Sequence, residues 1–473
     1  MKVRFLVVAL AIVATVSSPL LAAGATLSQT VTLPSGSLGL YQGYLPLLSC
    51  SSASLCTVGG VELNSQNIQQ AFVASEVNGT WKASRTLTPP NGYKSSQGVT
   101  LATLECPVAG DCSATGQFGT AAGQYPFTVS EIHGVWQGGS RLALPKNAAT
   151  SNQFASPHAE WCASSGNCVT VGTYIDSAGN SQGFVAFQTK GRWGSAHELA
   201  LPKNANIDPH ASLTQLKCRT TGDCVAVGSY ITSDSSTQAL VLPEVRGHWQ
   251  RGFPLALPAN ASGFSGAGAS ELTCSTSLCT LVGSYLTYGG SLEPMVAQGW
   301  GTGWSRATPL QLPSNAARNP QTLFYGFAGG VSCDASATCA LGGQYLDNTG
   351  RYQGFLAVGL KGRWGPTTEL VLPSGAQQAG HNGGVVSVSC AQSVCHAGAA
   401  YIDSTGQYQA YIVTRTSTGW HTGITVALPG GATSVGVDGG LYSIQCSTAT
   451  TCLATGSYLT TPTRYGGFAI HLP

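Results

Sequence analysis

The sixteen cysteines of this chain fall into eight close pairs, and their spacing constrains the fold more than any other feature. The pairs are Cys50 and Cys56, Cys106 and Cys112, Cys162 and Cys168, Cys218 and Cys224, Cys274 and Cys279, Cys333 and Cys339, Cys390 and Cys395, and Cys446 and Cys452. Successive first cysteines are 56, 56, 56, 56, 59, 57 and 56 residues apart. That period is too long for one coil of a solenoid and suits a four-stranded propeller blade. Residues 162–201 show the unit: the cysteine pair, then Gly172 and Tyr174, a polar turn at 176–179, the turn Gly191-Arg192-Trp193, and a closing Leu199 and Leu201 before Pro202.

Within a repeat, an alternating apolar run such as residues 213–218 leads into the first cysteine, and residues 224–230 leave the second; these are the expected strands a and b. Residues 238–242 are the expected strand c, 247–249 its turn, and the run ending at Leu257 and Pro258 strand d. Seven tryptophans mark the c-to-d turn: Trp81, Trp136, Trp193, Trp249, Trp304, Trp364 and Trp420. The last repeat lacks one, because the sequence stops at 468–473, at the end of strand c, while residues 26–34 carry the pattern of strand d with no strands a to c before them. The two ends are expected to complete one blade and so to close a ring, which removes the exposed edges that an open stack would carry. Two four-bladed rings would each need a closure, and nothing near Cys274 supplies one. The expectation is an all-β chain, a single eight-bladed β-propeller of four-stranded blades over residues 26–473, with 26–34 as its closing strand.

Zinc is the other use of paired cysteines, but four or five intervening residues is not a usual knuckle spacing, and no metal or other cofactor is expected. A disulfide across a four- or five-residue hairpin loop joins facing strand positions and contributes roughly 2 kcal/mol in the chain-entropy model. The N-terminus fits an oxidising destination: Lys2 and Arg4, an apolar run over 5–16, a break at Ser17-Ser18-Pro19, and small residues over 22–25 read as a secretory signal peptide spanning 1–25. An uncleaved anchor is the rival reading, weakened by the proline break. With 8% charged residues and a formal net charge of +2, the chain has no field suited to nucleic acid. A secreted, extracellular monomer without stable membrane association is expected.

From the Gly-x-Trp turns and the repeated L-x-L-P strands, the chain resembles the sialidase-like, Asp-box (BNR-type) propellers, above all bacterial secreted forms with a C-x(4,5)-C pair in each blade. Its nearest stretch to the Asp-box, Ser75-Glu76-Val77-Asn78-Gly79-Thr80-Trp81, has no aspartate and a shorter gap from glycine to tryptophan. The resemblance implies the fold; a sialidase would also imply an arginine cluster, a tyrosine nucleophile and a carboxylate. Arg192, Arg246 and Arg363 flank the Gly-x-Trp turns instead, at the blade end away from the expected binding face.

In a propeller the d-to-a and b-to-c connections share one face, so the long connections at 147–159 and 314–329 are expected to rim a binding surface. Asp176, Asp347 and Asp403, each followed by a hydroxyl or amide and a glycine, read as turn residues rather than as calcium ligands, since each site has one carboxylate. A departure from the repeat stands out two residues before the first cysteine, where Leu48, Leu104, Leu216, Leu272, Val331, Val388 and Ile444 are matched in the third repeat by Glu160, followed by Trp161. With His158, and with Asp208 and His210 on the next connection, it makes one candidate set. The second is aromatic: Tyr41 and Tyr44 before the first repeat, Tyr93 before the second and Tyr442 before the eighth, with Phe324, Tyr325 and Phe327 further round. Exposed rings suit a sugar face or a protein partner. The chain carries no H-E-x-x-H or phosphate-loop motif. The expected function is non-catalytic binding or adhesion, with a carbohydrate or surface protein as ligand; the alternative is a glycan-active hydrolase or lyase using the acidic and histidine set of repeats three and four.

Overall fold

The computed structural model describes residues 28–472 apart from 53, 264–265, 276–277, 318–325, 378–383 and 438. The leader expected at 1–25, and Phe324 and Tyr325, lie outside the described residues. The chain forms eight sheets, one for each cysteine pair, with their blade strands antiparallel, arranged as an eight-bladed β-propeller. In blade 3, strands a, b and c are Ser156–Ser164, Asn167–Ile175 and Ser181–Thr189, and strand d is broken into Arg192–Trp193 and His197–Glu198. Blade 4 repeats this with Ser212–Thr220, Asp223–Ile231, Thr237–Val245, His248–Trp249 and Phe253–Pro254. Strand a of each blade lies against strand a of its neighbours on both sides, so the first strands ring the axis.

Because blades stack face to face, the apolar cores lie between them. Val171, Val185 and Leu199 of blade 3 meet Leu213, Leu216 and Leu240 of blade 4, all nearly inaccessible. Strands b and c are therefore buried on both faces, which explains unbroken runs such as Cys224-Val-Ala-Val-Gly228 where a one-sided sheet would alternate.

The glycine and aromatic of the repeat each have a reason. Strand a bulges between Pro157 and Ala159, and between Leu213 and Gln215. A Cβ on Gly172 would come within 2.2 Å of the Ser156 carbonyl oxygen, and one on Gly228 within 1.8 Å of that of Ser212. Two residues on, Tyr174, Tyr230, Tyr285 and Tyr345 are fully buried. Their hydroxyls donate to Asn147, Asn204, Asn260 and Asn315 at 3.0, 2.9, 3.0 and 2.9 Å, pinning the preceding d-to-a connection to the blade.

All eight disulfides close within their own blades, as the spacing predicts. The ends also meet. Gln29–Val31 is strand d of blade 8, with Gln29, Thr30 and Val31 opposite Ala469, Phe468 and Gly467. The expected strand over 26–34 is thus three residues long in its ladder, and Leu27 lies outside the described residues. The chain then pairs Gly39–Leu40 with Leu63 and Glu62 of blade 1 and buries Leu45 completely. Cβ atoms built on Gly60 of blade 1 and Gly467 of blade 8 would lie 3.1 and 2.9 Å from the Leu45 methyls, so this side chain fills the seam where the ring closes.

The connection over 147–159 is shorter than the sequence suggests. Gln153–Phe154 pairs with Gly123 and Gln124 of blade 2, and strand a begins at Ser156. The buried Gln153 side chain holds it there, donating to the Ala149 and Ile175 carbonyls and accepting from the Ile175 N–H at 2.7 Å.

Leu45→Ala should lower stability by about 2–5 kcal/mol, the usual cost of a buried leucine, read from chemical denaturation. Deleting residues 26–34 should do more, exposing the edge of Arg464–Leu472 and giving aggregates by light scattering; a monomeric deletion variant with an unchanged melting temperature would mean that this strand does not close the ring.

Candidate functional site

The two faces differ in what fastens them. At the disulfide end, the c-to-d turn is tied to the a-to-b loop: Gly134, Gly191 and Gly247 donate their N–H groups to Gly110, Gly166 and Gly222 at 2.7, 2.8 and 2.7 Å. Arg192 and Arg246 belong to this end. At the other end, the d-to-a connections bridge onto the b-to-c turns, as in Ala148 to Asp176, Ala316 to Asp347 and Ala376 to Asp403. The aspartates are turn residues. Asp403 Oδ1 accepts from the Thr405 hydroxyl and the Thr405 and Gln407 N–H groups, and these bonds, that of the Thr405 hydroxyl foremost, hold its carboxyl down at about 2.

On this second face the aromatic candidates converge in part. Tyr44 and Tyr442 come from opposite ends of the sequence, yet their ring centroids are 5.2 Å apart with planes tilted by 52°. Tyr44 is 46% exposed, and Tyr442 stands on the strand a bulge between Leu441 and Ser443. Tyr41 opens the turn that presents Tyr44, its carbonyl accepting the Tyr44 N–H at 3.2 Å. Tyr93 packs against the core between blades 1 and 2.

The acidic and histidine candidates separate into two places. Asp208 and His210 form a pair at 3.1 Å on the connection into blade 4, and Asp208 Oδ1 also accepts the Ser181 N–H. Glu160 is only 5% exposed and turns toward blade 2, where it accepts from the Thr103 hydroxyl at 2.6 Å. Burial pushes its carboxyl up to about 7, against the lowering effect of Ser113 and Thr103. Side chains alternate along a strand, so Trp161 faces the other way, into the seam with blade 4. His158 stands on the strand a bulge with Nε2 3.1 Å from the Thr173 hydroxyl. Glu160 also approaches the Cys162–Cys168 sulfurs, and His396 those of Cys446–Cys452, but disulfide sulfurs offer no thiolate to a metal.

Sequence reasoning missed a row of residues three positions before the glycine of each Gly-x-Trp turn. In blades 1 to 4 these are Glu76, Glu131, Gln188 and Glu244, paired with Trp81, Trp136, Trp193 and Trp249. All four are buried and turn toward the preceding blade. Glu76 meets His471 Nε2 of blade 8 at 2.5 Å, and Gln188 donates to Ser130 Oγ of blade 2 at 3.0 Å. Opposite Glu131 and Glu244 there are cavities instead, of about 340 and 380 Å³. The constant offset from the glycine was the signal that could have exposed the row.

No protein-family model and no curated protein matches the sequence. In fold the chain is similar to a puromycin-hydrolysing peptidase of Mycobacterium tuberculosis, at 10% identity over 92% of this chain and 63% of that one, with a TM-score of 0.47. It is similar to an ulvan lyase of polysaccharide lyase family PL25, at 10% identity over 94% and 96%, with a TM-score of 0.43. The NanB sialidase of Streptococcus pneumoniae aligns at 11% identity over 94% and 70%, with a TM-score of 0.36. These are likenesses of fold.

A carboxyl raised from 4.5 to about 7 on folding favours the native state while it stays protonated. Its destabilising effect begins above pH 4.5 and is complete above 7, on the order of 3 kcal/mol by linkage. Glu271, also raised by burial to about 7, acts in the same direction. The melting temperature should therefore fall as pH rises through this window, and Glu160→Gln, which keeps an acceptor for Thr103, should flatten the fall and melt higher at pH 8. An unchanged pH profile in that variant would show that Glu160 is ionised in the native protein.

Proposed function

We propose that the chain is a secreted binding propeller that takes a carbohydrate ligand on the face opposite the disulfides, with Tyr44 and Tyr442 as its contact. The Tyr44–Tyr442 pair carries the reading: two tilted rings, one of them half-exposed, on a rigid rim at the seam where the ends of the sequence meet. Ring faces of this kind accept the C–H surface of a sugar while the hydroxyls stay wet. Eight disulfides suit an oxidising compartment, and residues 1–25 are the segment that would direct the chain there. Among the described residues no helix is long and apolar enough to cross a membrane.

The alternative, a glycan-active hydrolase or lyase on the third and fourth repeats, draws on one observation: Glu160 has the raised carboxyl of a general acid. Its carboxylate points into the seam with blade 2, whereas Asp208 and His210 sit on the connection into blade 4, so the two halves of that set do not meet among the described residues. A surface protein is the other partner class for the tyrosine rim.

Glycan-array binding of the purified protein tests the reading. Tyr44→Ala and Tyr442→Ala should each weaken the best glycan signal about tenfold or more, as expected for a contact worth 1–2 kcal/mol, with the melting temperature unchanged. Binding that survives both substitutions, or hydrolysis of the bound glycan that is lost in Glu160→Gln, would overturn it.

A further inference from the structure

The seam between blades 3 and 4 holds a cavity of about 380 Å³ whose lining includes Trp161, Phe187, Asn167, Thr221, Gly222 and Glu244. Trp161 and Phe187 also pack, partly buried, on the apolar core that the two blades share. Glu244 is 1% exposed, and its Oε2 has no hydrogen-bond partner among the described residues. An uncompensated buried carboxylate is costly, and proteins ordinarily neutralise one with a charge or a donor.

The same protein shows what completes this position elsewhere. In the seam between blades 8 and 1 the equivalent carboxylate, Glu76, receives the His471 imidazole, and between blades 2 and 3 Gln188 receives Ser130. Between blades 1 and 2, burial and Asp111 raise the Glu131 carboxyl, and the Arg85 guanidinium, which lines the cavity there, opposes them. Among the described residues, no lysine, arginine or histidine lines the cavity at Glu244. There burial, with Asp223 adding to it, raises the acid, and no cation opposes the shift.

Trp161 occupies a position that has a structural use in half of the blades. The residue before the first cysteine stitches one blade to the next in four other places: Gln445, Ser49, Ser332 and Ser389 accept the N–H groups of Cys50, Cys106, Cys390 and Cys446 at 2.8, 2.8, 3.0 and 3.0 Å. An indole offers no acceptor, so at Trp161 the stitch gives way to an aromatic wall. A carboxylate with aromatic faces beside it is the arrangement that recognises an organic cation, through a charge-assisted hydrogen bond and cation–π attraction.

We propose that this cavity binds a primary ammonium group carried on an apolar stem, with Glu244 as its counter-ion and the Trp161 and Phe187 rings as its walls. The ammonium takes the place that His471 takes beside Glu76, and the stem lies along the rings. A free alkylamine and an amino sugar share this chemistry. The site is separate from the tyrosine rim and does not depend on it.

The test titrates the full, oxidised protein with n-butylamine and with n-butanol, its uncharged analogue. The Trp161 indole N–H is followed by NMR and assigned by its absence in Trp161→Phe. The amine should shift that resonance with a Kd on the order of millimolar, fitting so small a ligand, and bind about tenfold or more tightly than the alcohol. Glu244→Gln should bring the two within about threefold of each other, while Glu131→Gln, in the other seam, should leave the difference intact. Glucosamine that displaces butylamine where N-acetylglucosamine does not would assign an amino sugar, and failure of both to displace it an alkylammonium. Equal binding of amine and alcohol by the unsubstituted protein would overturn the proposal whatever the variants do, as would full amine binding in a folded Glu244→Gln.

Discussion

Each blade is a sheet with two apolar faces, and everything else in the structure depends on each sheet having a neighbour on both sides. One blade could not cover Val225 and Val227 on one face and Ala226 on the other; two adjacent blades do so, and bury all three completely. The demand passes from blade to blade and ends only if the eighth meets the first. Closure is therefore part of the core: Leu45, Val31 and Leu40 from the start of the chain are packed with Leu453 and Ala469 from its end. A ladder of three residues suffices for the last strand because the seam behind it is filled.

The inner strands meet a second demand. Strand a pairs with strand b on one side only, so the backbone groups of its other edge need partners. The neighbouring blade supplies many of them with short side chains. Besides the serines and the glutamine before the first cysteine, Thr214 and Ser270 donate to the Ala269 and Ala328 carbonyls of the next blade at 2.9 and 3.1 Å. Polar residues in the seams are thus part of how the ring is assembled. Glu160 reads differently in this setting, as a carboxyl in an apolar slot whose hydrogen bond to Thr103 ties blade 3 to blade 2.

Repetition made the fold legible. With eight copies of one pattern, the disulfide partners, the blade number and the closing strand could be read from spacing alone, and the structure agrees on each. The pattern also showed where it was broken, at Glu160. What it could not show was direction. Adjacent residues on a strand face opposite neighbours, so Glu160 and Trp161, contiguous in the chain, serve different seams. Asp208 and His210 come together because they lie two residues apart, whereas joining them to Glu160 would have required facing blades that strand alternation had already separated.

What the row of Glu76, Glu131, Gln188 and Glu244 does lies beyond sequence reading for a related reason. Its members are visible at a constant offset from the turn glycine, but their meaning depends on what the preceding blade places opposite them. One position is completed by a histidine and another by a serine, while two open onto cavities, because the facing residue comes from a different repeat. In a ring of near-identical units, a cavity forms where facing positions fail to complement each other. Three things must coincide before such a mismatch resembles a binding site: a buried acid, no internal cation, and a wall that has given up its structural duty. Glu244, the cation-free lining and Trp161 meet these conditions in the seam between blades 3 and 4. At Glu131, where Arg85 supplies the charge, they are not met.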